Sequence, residues 1–148
     1  MVFYFTATGN SLYVAKELDA HPVSIAQAIH DPNKVYRADS IGIICPVFGH
    51  EMPELVKEFL KSARFETEYF YILLTYGNRH GGAAELAKAY VKELGIHACP
   101  MLATKLKMPE KNPQARYRNE NITLCEIVDA NNQWGNLRSK SDRCHGHD

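Results

Sequence analysis

The sequence predicts a single α/β domain built on a doubly wound, five-stranded parallel sheet in three layers. Short apolar runs of strand-forming residues alternate along the chain with segments of helical periodicity. The 148 residues are the length of one ordinary domain, and they show no internal repeat and no linker before residue 104. Because helical segments separate the strands, we expect the strands to run parallel, with right-handed crossovers that place helices on both faces.

Five apolar runs are assigned to the strands. They are rich in β-branched and aromatic residues, which is typical of parallel strands buried on both faces. In chain order the runs are "VFYF" (2–5), the weaker "PVSI" (22–25), "SIGIIC" (40–45), "YFYILLT" (69–75) and "HACPMLA" (97–103). Together they predict the sheet at the centre of the domain.

Apolar stripes between the strands predict the helices. Apolar residues recur there at three- and four-residue spacing, so each segment would turn one face toward the sheet. The stripes are Leu12, Ala15 and Leu18; Leu55, Val56, Phe59 and Leu60; and Leu86, Ala87, Tyr90, Val91 and Leu94. Pro53 before the second stripe suits a first helical turn, and Gly95 after the third suits a helix end.

The C-terminal part is less regular. Polar residues and two prolines after residue 104 predict a long surface loop. The spacing of Ile122, Cys125 and Val128 predicts a short last crossover helix. We therefore expect the domain to cover residues 1–135, with a disordered tail over 136–148, where apolar periodicity is lacking.

Composition excludes several classes of protein. Seventeen basic residues balance seventeen acidic ones, which argues against a protein that binds nucleic acid or an anionic membrane. The absence of a leader pattern and of an apolar stretch of about 20 residues predicts a cytoplasmic protein. The four cysteines form no C-x-x-C motif, so we expect no metal or cluster site, and Cys45 and Cys99 are expected to be buried reduced thiols.

The stretch "TATGNS" (6–11) follows the first strand and opens the first helix. Its small residues would let several backbone N–H groups and the helix dipole converge on a phosphate, with hydroxyls and an amide as further donors. The motif is neither a P-loop nor a dinucleotide fingerprint. A strand-to-helix turn in which Thr8, Asn10 or Ser11 caps the helix explains the same residues equally well.

This stretch resembles the phosphate-binding loop of flavodoxins, and the order of elements over residues 1 to about 104 is similar to that family. The resemblance implies an FMN cofactor. The loop at 6–11 would bind its phosphate, and "PVFGHE" (46–51) and "TYGNRHGG" (75–82) would enclose its isoalloxazine ring. By the same resemblance Phe48 would cover one face of the ring, Gly49 would turn a carbonyl toward the flavin N5, and Glu51 would accept from the flavin N3–H.

The residues that the resemblance assigns to FMN binding come from three loops. They are Thr6, Thr8, Gly9, Asn10 and Ser11; Pro46, Val47, Phe48, Gly49 and Glu51; and Thr75, Tyr76, Gly77, Asn78 and Gly82. The sequence departs from the family in two respects. Its third loop lacks a clear second stacking aromatic, and its charge is neutral where flavodoxins are acidic, with His50, Arg79 and His80 expected near the ring.

The resemblance implies an electron-transfer protein that passes electrons between redox partner proteins and has no substrate of its own. A second hypothesis is a flavin reductase that takes hydride from NAD(P)H, although no dinucleotide motif supports it. A third is a flavodoxin-fold binding module without flavin. Similarity of fold alone does not separate the three hypotheses.

Overall fold

A computed structural model describes residues 1–77, 81–96, 101–107 and 123–129. Within these ranges it contains eight strands and four helices. The strands are β1 (Val2–Tyr4), β2 (Val23–Ser24), β3 (Val35–Arg37), β4 (Ser40–Pro46), β5 (Arg64–Glu66), β6 (Tyr69–Tyr76), β7 (Met101–Lys107) and β8 (Thr123–Asp129). The helices are α1 (Asn10–Leu18), α2 (Ile25–Ala28), α3 (Glu54–Ser62) and α4 (Ala83–Glu93).

The main sheet has the strand order β2-β1-β4-β6-β7-β8. Every neighbouring pair from β2 to β7 is parallel, whereas β8 runs antiparallel to β7. A separate two-stranded parallel sheet is formed by β3 and β5. The predicted α/β class with a parallel sheet is therefore confirmed, and the architecture is consistent with a flavodoxin-like fold.

The last element contradicts the sequence prediction. Cys125 and Val128, predicted on a crossover helix, lie in β8, so the main sheet has six strands rather than five. Spacing over so short a segment separates helix from strand poorly, and its β-branched Thr123, Ile127 and Val128 favour a strand. Pairing with β7 also covers a sheet edge whose backbone groups would otherwise stay open.

Other boundaries differ less. The strand predicted at 97–103 is observed as Met101–Lys107, so the segment predicted as a loop after residue 104 begins within a strand. Residues 97–100 and the predicted tail at 136–148 lie outside the described residues. The short elements α2, β3 and β5 had no counterpart in the prediction.

Apolar side chains of the central strands alternate between the two faces of the sheet. Ile41, Ile43 and Cys45 of β4 face the cluster that α2, α3 and α4 help to form. Ile44 belongs to the cluster that includes Val14 of α1. Successive residues of β4 therefore pack into two different apolar clusters, which explains the continuous apolar run of this strand.

Cys45 is fully buried and reduced, as predicted, and burial in this apolar setting raises the pKa of its thiol. Cys99 lies outside the described residues.

The small sheet closes one side of the core. Tyr36 of β3 and Phe65 of β5 stack at 6.0 Å between ring centroids, and both rings contact Phe59 of α3. On its solvent side, the guanidinium of Arg37 donates to the carboxylate of Glu66. Each of these strands contributes one aromatic residue to the core, so the small sheet extends the core by two rings.

No helix among the described residues is long and apolar enough to cross a membrane.

Candidate functional site

The carboxyl ends of β1, β4 and β6 lie side by side because these strands are adjacent and parallel. Each leads into a loop, which we call loop 1 (residues 5–9), loop 2 (residues 47–53) and loop 3 (residues 77–82). Backbone bonds align the loops at their origins: the N–H of Phe5 donates to the carbonyl of Ile44 at 2.9 Å, and that of Val47 to Thr75 at 3.0 Å. The three segments predicted to form a site therefore leave the same edge of the sheet.

Loop 1 ends at Gly9, which occupies the N-cap position of α1 with a left-handed backbone φ of 96°. Its N–H donates to the Thr6 hydroxyl at 2.9 Å, and its carbonyl accepts from the N–H of Tyr13 at 2.9 Å. No side-chain cap is present at the start of α1. The alternative that Thr8, Asn10 or Ser11 caps this helix is therefore wrong, and the first amides of α1 lack a capping side chain.

Polar atoms surround this helix start. The amide nitrogen of Asn10 donates to the hydroxyl of Thr8 at 3.3 Å, and Thr8 is exposed. The Oδ1 of Asn10 is buried and has no hydrogen-bond partner among the described residues. A buried carbonyl oxygen without a hydrogen-bond partner is energetically costly.

Ser11 and Thr75 differ from the other candidate residues because they are inaccessible. Their side chains are 1% and 2% exposed, and their hydroxyl oxygens lie 2.9 Å apart in a buried hydrogen bond. The bond joins the first turn of α1 to the end of β6. The sequence placed both residues at the site, but only the fold brings them into contact, since they are 64 positions apart.

Loop 2 contains a tight turn over residues 48–51. The N–H and carbonyl of Phe48 bond to the carbonyl and N–H of Glu51 at 2.8 and 3.0 Å. The two residues between them have positive φ angles, 56° at Gly49 and 69° at His50. This pattern matches the two-residue turns that require left-handed backbone at both central positions, which Gly adopts freely and His does not.

The ring of Phe48 lies on the surface of this turn. It is 47% exposed and meets the ring of Phe5 edge-on, with centroids 6.2 Å apart. Phe48 is therefore a surface aromatic and not a buried core residue. Pro46 ends β4, and Val47 packs partly buried against the core beneath the turn.

Glu51 is paired within the chain. Its carboxylate accepts from the ammonium of Lys57 on α3, which also lies 3.5 Å from the carboxylate of Glu54. The hydrogen bond from Lys57 and its charge hold the pKa of Glu51 below its usual value, and the pairing raises the pKa of Lys57. Glu51 is therefore ionised near neutral pH, and its exposed position leaves the carboxylate accessible.

Loop 3 is described at its two ends. Tyr76 is half-buried against the core, and Gly77 is exposed. Asn78, Arg79 and His80 lie outside the described residues. Gly81 and Gly82 have left-handed φ angles of 58° and 81°, and Gly82 is the N-cap of α4, again without a side-chain cap.

His50 connects loop 2 to loop 3. A Cβ added to Gly81 would lie 1.8 Å from Nδ1 of His50, so the imidazole occupies the space that a side chain at position 81 would need. From the sequence, His50 was expected near the ring only as a positive charge. The Gly81–Gly82 pair indicates that another group approaches this part of the backbone closely. Only the fold shows that this group is the imidazole of His50.

Replacing His50 with glycine is expected to raise the free energy of unfolding by about 0.5–1 kcal/mol. A non-glycine residue in the left-handed region costs about 1–2 kcal/mol, partly offset by the extra entropy that glycine gives the unfolded chain. Urea unfolding of both proteins measures the change, with His30→Gly as the control because His30 is exposed and its φ is not positive. Equal losses in the two variants would mean that the contact of His50 with Gly81 outweighs the backbone strain.

The chain resembles solved structures in its fold, at low sequence identity. The chain is similar to a solved structure described as the Trp repressor binding protein from Bacillus subtilis, with a TM-score of 0.47 and 10% sequence identity over 73% of this chain and 87% of that one. No family model matches the chain, and no curated protein matches it significantly.

Proposed function

We propose that the protein is a flavodoxin-like electron carrier that binds FMN non-covalently at loops 1, 2 and 3 and passes electrons between redox partner proteins. In this proposal β2, β1, β4, β6 and β7 are the five parallel strands of a doubly wound, three-layered domain over residues 1–135, and β8 is an added edge strand. The observation that carries it is the uncapped start of α1 together with the exposed ring of Phe48, which contacts Phe5 of loop 1. A ligand with a phosphate at one end and a flat aromatic ring at the other would use both features.

The phosphate would lie at the start of α1. The amides of Asn10, Ser11 and Leu12 are the first of the helix, and the helix dipole adds partial positive charge there. Loop 1 contains no Lys or Arg, so neutral donors would have to hold the phosphate. The oxygens of Thr6 and Thr8 already accept hydrogen bonds from Gly9 and Asn10, which leaves each hydroxyl hydrogen available for a phosphate oxygen.

The isoalloxazine ring would lie against Phe48. Stacking would cover the exposed face of this residue, and Phe5 supports the ring of Phe48 from its edge. The ionised carboxylate of Glu51 would accept a hydrogen bond from the polar edge of the flavin. FMN would supply the one- and two-electron chemistry, while these residues bind the ring, orient it and exclude water from it.

Titration of the purified protein with FMN tests the proposal. We expect saturation at about one FMN per chain, with a shifted flavin absorption spectrum and altered flavin fluorescence. Anaerobic addition of NAD(P)H to the FMN complex then separates a carrier from a reductase, because only a reductase would oxidise NAD(P)H steadily when an artificial electron acceptor is supplied. Failure to bind FMN at millimolar concentration would refute the proposal and favour a binding module without flavin.

A further inference from the structure

From a buried position, Thr75 bonds to the first turn of α1, which follows loop 1, and to loop 2. Its hydroxyl pairs with Ser11 at 2.9 Å, and its carbonyl accepts from the N–H of Val47 at 3.0 Å. It lies one residue before the end of β6, the strand that leads into loop 3. With 2% of its surface exposed, it has no room to contact a ligand itself.

The Ser11–Thr75 bond acts on the part of α1 that would receive an anion. Ser11 is the second residue of α1, and it is buried with Val14 and Ala15 on the helix face that packs on the sheet. Covalent structure holds loop 1 to β1, but it leaves the first turn of α1 free to move relative to β6. The hydroxyl pair removes that freedom, and each hydroxyl gives the other the partner that a buried polar group needs.

We infer that Thr75 is a positioning residue: its hydroxyl holds the first turn of α1 against β6 and so keeps the amides at the helix start aimed at the phosphate of the ligand. The ordering of the first turn of α1 is a property of the protein without ligand and does not depend on the proposed function. The effect on ligand binding rests on the proposed function. When the site is already ordered, the ligand does not pay the free-energy cost of ordering it. Loss of the Thr75 hydroxyl should therefore lower the affinity for FMN more than the affinity for riboflavin, because riboflavin has no phosphate to bind at the start of α1.

Thr75→Val tests the inference because valine keeps the branched shape and removes the hydroxyl. The readout is native-state hydrogen exchange of the amides of Gly9 and Tyr13, which donate to Thr6 and to Gly9 in this region. We expect their exchange to be about three- to tenfold faster, the factor that an ordinary intramolecular hydrogen bond supplies. The amide of Leu94, which donates to Tyr90 at the end of α4, serves as the internal reference and should not change relative to global stability.

Two further variants separate the hydroxyl from packing and from general stability. Thr75→Ser keeps the hydroxyl but loses the methyl group, so it should retain most of the protection at Gly9 and Tyr13. Thr67→Val is the matched control at the other end of β6, where the Thr67 hydroxyl bonds to the carbonyl of Asp39 at 2.9 Å. This substitution should leave the exchange rates of the Gly9 and Tyr13 amides unchanged relative to that of the Leu94 amide.

Faster exchange at Gly9 and Tyr13 in Thr75→Val alone, with recovery in Thr75→Ser, supports the inference. Equal exchange in Thr75→Val and wild type, or equal acceleration in Thr75→Val and Thr67→Val, overturns it. If Thr75→Val does not fold, the exchange of Ser11→Ala, which removes the other hydroxyl, decides by the same criteria. Because exchange is measured without ligand, a wild-type protein that fails to bind FMN would refute the proposed function while leaving this result valid.

Discussion

Phe59→Ala is expected to lower the free energy of unfolding by about 3–5 kcal/mol, the usual cost of truncating a fully buried phenylalanine. Phe59 is inaccessible to solvent and its ring contacts those of Phe3, Tyr36 and Phe65, with centroids 5.2, 5.9 and 5.7 Å away. Truncation would leave a cavity where α3, β1 and the small sheet meet. Urea unfolding of the protein without ligand measures the loss.

Phe48→Ala is the matched control for this measurement. The same substitution at a ring that is 47% exposed should change the free energy of unfolding by no more than about 0.5 kcal/mol. Comparable losses in the two variants would contradict the surface position of Phe48. If Phe48 stacks on the ligand, its truncation should instead weaken FMN and riboflavin together, because both contain the isoalloxazine ring.

Replacement of the polar groups at the start of α1 is expected to weaken FMN about ten- to more than hundredfold while changing riboflavin little. Loss of a hydrogen bond to a charged group costs about 1.5–3 kcal/mol, and only FMN carries the phosphate. The variants are Thr8→Val, which removes a hydroxyl from an exposed residue, and Asn10→Leu, which removes the amide that bonds to it. Dissociation constants for both ligands, from fluorescence titration, give the comparison.

The two substitutions should not be additive. Asn10 donates to Thr8, so each side chain orients the other, and the double variant should lose less than the product of the two single effects. Thr67→Val, at the far end of β6, should bind both ligands as wild type does. Equal weakening of FMN and riboflavin by Thr8→Val or Asn10→Leu would contradict a phosphate site at loop 1.

The sequence predicted the long central strands well because their signal is strong. The runs at 40–45 and 69–75 correspond to β4 (Ser40–Pro46) and β6 (Tyr69–Tyr76), each within one residue. Strands that are buried on both faces need apolar residues at almost every position, and few other elements show that pattern at this length. The stripes also located α1, α3 and α4, since burial of one helix face imposes a regular spacing. Leu86 was wrongly placed on the buried face of α4: it is 50% exposed, and Ala83 and Ala84 are buried there instead.

The short and peripheral elements were not predictable in this way. In β3 and β5, three residues each, a single aromatic residue packs against the core, and so short a pattern occurs by chance throughout any chain. The apolar residues of β8 fit a helix by spacing and a strand by composition. Pairing with a neighbouring strand decided the structure of these segments, and sequence patterns carry no information about which edge is available.

Within the candidate site, features formed by neighbouring residues could be predicted from the sequence, whereas contacts between distant residues could not. The turn of loop 1 is local, because Gly9 supplies a left-handed φ and Thr6, three residues earlier, accepts its N–H, so the chain around positions 6–11 specifies it by itself. The Ser11–Thr75 bond and the contact of His50 with Gly81 join distant segments, and so they depend on the parallel order of β1, β4 and β6. The backbone preferences of a few residues are enough to form the turn of loop 1. The long-range contacts form only when whole strands and helices are buried, and the free energy of that burial comes from the entire domain.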